Sequence, residues 1–360
     1  CLTARLHKSR LLSFSAISLP SACVESVFNI HLIETMKKFI LSICCVAAMC
    51  TASAQESHIF PDSLYLFSYF TNKDANRHGM HYAWSRDGYE WNTVGNPVGF
   101  LQPDTASDAP RLRDPFLLQD KKGMWHCVWT TDWESPHIGY ASSPDLIHWS
   151  EPQLLYVMQS AGYEPRNCWA PEILYDEEND RYLIFWASTI KVDGKWRTEE
   201  GKKYDNRMYY TATRDFKTFS PARPFLDYGY NVIDATVRRV GETYYMIYKD
   251  ERELPSPHKY LLVATSKHAA GPYVPLTGKP FTPSWVEGPS FIRLPDGTFI
   301  CYMDNYRKHR YSAMTTRDFI HWEEAPRKLS LPSGAAHGAV LKVPSSVVDT
   351  LLRYASGRFE

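Results

Sequence analysis

The sequence predicts a five-bladed β-propeller, and three observations carry that prediction. First, a pattern of Ser or Thr, Asp two residues on, and Trp or Phe four further recurs along the chain. It reads Ser85-Arg86-Asp87 to Trp91, Ser143-Pro144-Asp145 to Trp149, Thr213-Arg214-Asp215 to Phe219 and Thr316-Arg317-Asp318 to Trp322. A degenerate copy, Thr265-Ser266-Lys267 to Tyr273, falls between the last two. Second, five short strand-like runs are headed by polar residues, Asp114, Glu172, Asp234, Glu287 and His337, spaced by 58, 62, 53 and 50 residues. One propeller blade of roughly 40–50 residues plus loops has that period. Third, the N-terminal strands (Leu64 to Trp91) lack an opening strand, whereas the C-terminal opening strand at Gly338 lacks outer strands. Together the two ends complete one blade, which removes the edges an open array would expose.

Taken in order, residues 1–35 begin with Cys1 and show no period or motif; they are expected to come from an upstream start and not to be translated. From Met36 the text changes. Met36-Lys37-Lys38 is a positive start, Phe39 to Cys50 an apolar run, and Ala52-Ser53-Ala54 a small-residue cleavage site, so 36–54 reads as a signal peptide. The protein is therefore expected to be secreted or periplasmic, with a single propeller domain over 55–360. Within it, aromatic-rich strands alternate with turns. Leu64 to Phe70, Trp125 to Trp129, Tyr182 to Trp186, Thr243 to Tyr248 and Phe299 to Met303 each precede a second strand that ends on the Ser/Thr-Asp motif. Such runs, bounded by Gly, Asp, Asn and Pro, read as antiparallel hairpins, and no segment of comparable clarity has helical periodicity.

Composition narrows the function. Forty Lys and Arg balance 40 Asp and Glu, which argues against a dedicated nucleic-acid binder. No run after the signal peptide is long and apolar enough for a membrane span. Beyond residue 54 the eight cysteines reduce to Cys127, Cys168 and Cys301, without metal-ligand spacing and odd in number, so they read as buried apolar residues. Aromatic residues make up 14% of the chain, a share that fits blade cores or sugar-stacking surfaces.

In a propeller the opening strand of each blade lines the central channel. Asp114, Glu172, Asp234, Glu287 and His337 would then face one pocket. Four carboxylates in one concavity repel, so some must hold protons more tightly than usual. A glycosidase needs that split, one carboxyl protonated and another ionised.

Leu112-Arg113-Asp114-Pro115, Trp169-Ala170-Pro171-Glu172, Val232-Ile233-Asp234-Ala235, Val286-Glu287-Gly288-Pro289 and His337-Gly338 match, in order and spacing, the motifs of glycoside hydrolase family 43. The resemblance covers essentially all of 55–360. It implies a propeller enzyme that hydrolyses arabinosyl, xylosyl or related linkages of oligosaccharides or polysaccharides with inversion. By that resemblance Asp114 is the general base, Glu287 the general acid, and Asp234 the carboxylate that orients the acid. Inversion wants the two carboxyl groups about 6.5–9.5 Å apart with a water between. The sequence departs from the family at Ala235, where many members have Pro, and at Glu172, where many have Asp. Glu172 is expected in a structural or substrate-contacting role. His337 matches a histidine that in many members faces the channel and holds water or a metal, commonly calcium. No cofactor is otherwise implied.

Trp169 and Trp285 neighbour motif residues and are candidates for stacking on sugar. Arg113, beside the expected base, could keep that carboxylate ionised, and Arg310 could bind sugar hydroxyls. The run Glu199 to Lys203 reads as a solvated loop tip. An α-L-arabinofuranosidase is the first expectation. A β-xylosidase, a galactofuranosidase, an endo-arabinanase or a non-catalytic glycan-binding propeller are the alternatives.

Overall fold

A computed structural model describes residues 61–72, 79–95, 99–103, 110–199 and 201–358. The expected signal peptide and the segment before it lie outside the described residues. Among the described residues five four-stranded antiparallel sheets form, the innermost strand of each named first. The first holds β4 (Arg113–Gln119), β5 (Trp125–Thr130), β6 (Ile138–Ser143) and β7 (Gln153–Leu155). The second holds β8 (Trp169–Asp176), β9 (Arg181–Ser188), β12 (Arg207–Thr213) and β13 (Arg223–Leu226), with the short hairpin β10 (Lys191–Val192) and β11 (Lys195–Trp196) inserted. The third holds β14 (Val232–Val240), β15 (Thr243–Asp250), β16 (Tyr260–Ser266) and β17 (Val274–Pro275). The fourth holds β18 (Glu287–Arg293), β19 (Phe299–Asn305), β20 (Arg310–Thr316) and β21 (Glu323–Glu324). The fifth draws β22 (Ala335–Pro344) from one end of the chain and β1 (Ser63–Thr71), β2 (His81–Ser85) and β3 (Trp91–Thr93) from the other.

The five innermost strands touch in sequence around a closed ring, with β22 returning to β4. In the fifth blade β22 pairs antiparallel with β1, from Ser63 opposite Pro344 to Thr71 opposite Ala335. The five-bladed, ring-closed fold is as the repeat predicts.

The aromatic content finds its place between the blades. Side chains alternate across a strand, and here both faces are buried. Leu64 and Leu66 of β1 pack with Leu117, Cys127 and Trp129 of the following blade. Tyr65, Phe67 and Tyr69 of the same strand pack the other way, against Ile292, Ile300 and Tyr302. Equivalent wedges fill the remaining three gaps. Cys127, Cys168 and Cys301 are free and buried, as their spacing implies.

The recurrent Ser/Thr-x-Asp motif closes the turn after the third strand of four blades. In one copy the Ser143 Oγ accepts the Leu146 N–H at 2.9 Å, and Asp145 Oδ1 accepts from Ile147 and His148 at 2.9 and 2.8 Å. The Trp149 indole N–H then donates to the Leu146 carbonyl at 3.2 Å. Leu146, Phe216 and Phe319 occupy the left-handed region in their copies, where the first copy has Gly88. The clip holds a bulky residue in a conformation that favours glycine.

One expectation is corrected. A helix, α1 (Ser345–Ala355), follows β22. Its Val348 and Leu351 are buried in the wedge with Leu64 and Val343. Eleven residues with an apolar stripe at Val348, Leu351, Leu352 and Ala355 make a short periodic signal, directly behind a longer apolar strand.

Candidate active site

Every innermost strand except β22 carries one residue with positive φ near its head: Asp114 (52°), Ala170 (45°), Asp234 (52°) and Gly288 (57°). A register shift accompanies each, between Arg113 and Phe116, Trp169 and Glu172, Ile233 and Thr236, and Glu287 and Ser290. These bulges turn the side chains at the channel mouth away from the regular pleat. They also correct the reading that the five polar heads are equivalent. Asp114 and Asp234 are equivalent, Glu287 stands one residue before the bulge position and Glu172 two residues after it. Aligning Pro115, Pro171 and Pro289 gives the true register from sequence; Ala235 interrupts that signal.

His337 gathers the carboxylates. Its Nδ1 lies 3.3 Å from Asp114 Oδ1 and 3.9 Å from Asp234 Oδ2. The Gly288 N–H, next to Glu287, donates to Asp234 Oδ2 at 3.1 Å. Gly288 has no room for a side chain, since a Cβ there would fall 2.5 Å from His337 Cγ. Asp114, Asp234 and Glu287, from three blades, thus meet at one end of the channel.

Their surroundings set Asp114 and Asp234 apart in protonation. Burial alone would raise the Asp114 carboxyl, but the His337 charge, helped by Arg113 and Thr130, holds it below its ordinary value. Burial, reinforced by the Glu287 charge, pushes Asp234 up to about 6. Burial would lower the His337 imidazole, yet Asp114 and Asp234 push it up to about 10. Deeper in the channel Glu172 is buried, with Arg238 Nη1 3.8 Å away, and burial pushes it up to about 7.

Two charged residues at the mouth escape the sequence reading. Lys249, near the end of β15, is 1% exposed, and its Nζ donates to Glu287 Oε2 at 3.0 Å. Asp304 sits directly opposite Glu287 in the β18–β19 pairing; burial and then the Glu287 charge push it up to about 7. Both end otherwise apolar strands, Tyr244 to Tyr248 and Phe299 to Met303, and that break in pattern is the available signal.

Comparison with known proteins gives the family and the fold. The family model described as "Probable glycosyl hydrolase domain", of the family 43-related glycosyl hydrolases, matches residues 61–349. The chain belongs to this glycosyl hydrolase family. A curated relative, "Alpha-L-arabinofuranosidase" of Bifidobacterium longum subsp. longum, is 24% identical across 82% of this chain. The chain spans 34% of that relative's length. Among solved structures, an endo-1,4-beta-xylanase from Bacteroides thetaiotaomicron is similar with a TM-score of 0.51 at 13% identity, covering 74% of this chain and 92% of that one. A family 117 glycoside hydrolase of Zobellia galactanivorans has a TM-score of 0.50 at 16% identity, covering 64% and 74%. At such identities the structural likeness is one of fold.

The remaining candidates of this glycosyl hydrolase divide. Arg113 lies between the rings of Phe70 and Trp133, 4.5 and 4.6 Å from their centroids, and donates to Asn72. Trp169 donates its indole N–H to the Trp133 carbonyl at 2.9 Å and packs on Tyr204. Trp133, absent from the sequence reading, is 51% exposed. Trp285, at φ 71°, packs edge-on to Tyr306, with the Arg307 guanidinium over its ring. Arg310 is not brought to the carboxylates. It starts β20, exposed, and lines a separate cavity of about 450 Å³ that none of the three borders. Glu199 accepts from the backbone N–H groups of Glu253 and Leu254, so it ties two loops together. His337 directs its Nδ1 at the Asp114 and Asp234 carboxylates. Among the described residues no group of three His, Cys, Asp or Glu side chains is arranged to hold a metal ion.

Proposed function

We propose that this chain is an inverting glycoside hydrolase that removes α-L-arabinofuranosyl units from an oligosaccharide or polysaccharide, acting outside the cytoplasm. One observation carries the reading: three carboxylates from three blades meet around His337, with Asp114 held below its ordinary value and Asp234 raised above it. Asp114, held ionised, is the base that takes a proton from the attacking water. Glu287, 28% exposed beside the mouth, is the acid that protonates the leaving oxygen. Asp234, bonded to the N–H next to Glu287, orients that acid. His337 serves as the cation that lets two carboxylates share one concavity. Trp169, Trp133 and Arg113 form the rim that would receive the sugar, and Glu172 supports the channel beneath. The arabinofuranosyl choice rests on the name of the curated relative, and export on Met36 to Ala54.

A panel of arabinofuranosyl, xylosyl and galactofuranosyl aryl glycosides, with the product anomer followed by NMR, tests this. Release of inverted arabinose is expected. Asp114→Asn and Glu287→Gln should each lower kcat by at least about a hundredfold on a substrate with a poor leaving group while the fold is kept. Retention of configuration, or full activity in either variant, contradicts the assignment.

A further inference from the structure

We infer that Lys249 is a positioning residue for proton donation by Glu287. The inference rests on the proposed role of Glu287 and deepens it. Lys249 is buried, and its Nζ donates to Oε2 of Glu287 at 3.0 Å. That bond occupies one oxygen of the carboxyl group and leaves Oε1 to carry the proton toward a leaving oxygen. As the proton departs, negative charge develops on Glu287, and a fixed ammonium beside it stabilises that charge as it forms.

A buried lysine does this only if it stays charged while Glu287 is protonated. A second carboxylate meets that need. Glu251 Oε2 lies 2.8 Å from Lys249 Nζ, an ion pair lacking hydrogen-bond alignment. Glu251 is in turn paired by Lys259 at 2.5 Å, and Lys259 by Glu253 at 2.7 Å. The chain of alternating charges runs from the channel mouth outward. The sheets place it there: Lys249 stands opposite Ile233, the neighbour of Asp234, in the β14–β15 pairing. The ring of Tyr306, the residue after β19, covers the ammonium 4.8 Å from Nζ. The charged groups Asp234, Asp304 and His337 also face this cluster.

Dependence on the leaving group separates this role from a structural one. A dinitrophenyl glycoside departs without a proton, whereas an alkyl glycoside of the same sugar requires one. Lys249→Met should lower kcat/KM on the alkyl glycoside about a hundredfold and on the dinitrophenyl glycoside less than about threefold. Lys249→Arg should restore much of the alkyl rate. Glu251→Gln, which keeps the lysine, should show the same selective loss to a smaller degree and carries the test should Lys249→Met fail to fold. Equal losses on both substrates in the folded variants overturn the inference. If Glu287→Gln is leaving-group-selective while Lys249→Met and Glu251→Gln are not, the inference fails and the proposed acid stands. If the wild type hydrolyses neither glycoside, the proposed function fails with it.

Discussion

At the level of single residues, the site is a matter of charge balance in a confined space. His337 lies against Asp114 and Asp234, and its cation is what keeps the Asp114 carboxyl below its ordinary value against burial. His337→Gln removes that cation. The acidic limb of kcat/KM should therefore move to higher pH, measured across about pH 3–7; an unmoved limb would separate Asp114 from it. The same shifts make stability depend on pH. His337 is raised from its ordinary 6.5 to about 10, so its contribution is full below 6.5 and is lost as pH rises toward 10. Asp234, Glu172 and Asp304 are raised to about 6, 7 and 7, so ionising them in the fold costs stability from the ordinary carboxylate range upward. Asp114, lowered, acts oppositely and only in acid. The thermal midpoint should then be lower at about pH 9 than at about pH 5, and a higher midpoint at the alkaline value would contradict these directions. Asp114 and Glu287 are legible in the sequence because Pro115 and Gly288 mark their bulges, and Asp234 falls at the repeat spacing between them. Lys249 and Asp304 are not, because a charge at a strand end looks like solvent exposure until the neighbouring blade covers it.

Among the elements, the turn clips and the bulges share one device, a left-handed residue fixed by local hydrogen bonds. In the clip the fixing group is an Asp that accepts two backbone N–H groups; in the channel it is the pairing of the inner strand across the bulge. Asp145→Ala leaves the N–H groups of Ile147 and His148 without that acceptor and frees Leu146 from its clip. A fall in thermal midpoint of a few degrees is expected, with activity retained; a midpoint within error of wild type would show the clip to be dispensable. The clips are readable because the same residues recur at the same spacing. The bulge register is readable only in part: Pro115, Pro171 and Pro289 mark it and Ala235 breaks the series, while Glu172 and Glu287 are polar heads of the right kind displaced by two residues and by one. Helix α1 escapes for a related reason: its stripe is short, and only packing against β1 and Val343 gives it meaning.

For the whole molecule, ring closure is the decisive contact. β22 supplies the innermost strand of the blade whose other three strands come from the N-terminal end, and it carries His337 into the channel. A chain stopped after Pro344 loses α1 alone, whereas one stopped after Ser333 loses β22, exposes the edge of β1 and removes the cation from the site. The first should unfold cooperatively at a reduced midpoint and keep activity; the second should lose cooperative unfolding, as read by circular dichroism and calorimetry. Comparable midpoints for both would deny closure that weight. The number of blades, the closure and the identity of the carboxylates follow from the order of residues along the chain, because strand period, turn chemistry and repeat spacing are local or periodic properties. Which oxygen faces which charge does not follow. Asp114, Asp234, Lys249, Glu287 and His337 come from four blades, and their separations depend on how the wedges between sheets fill, which no local pattern records.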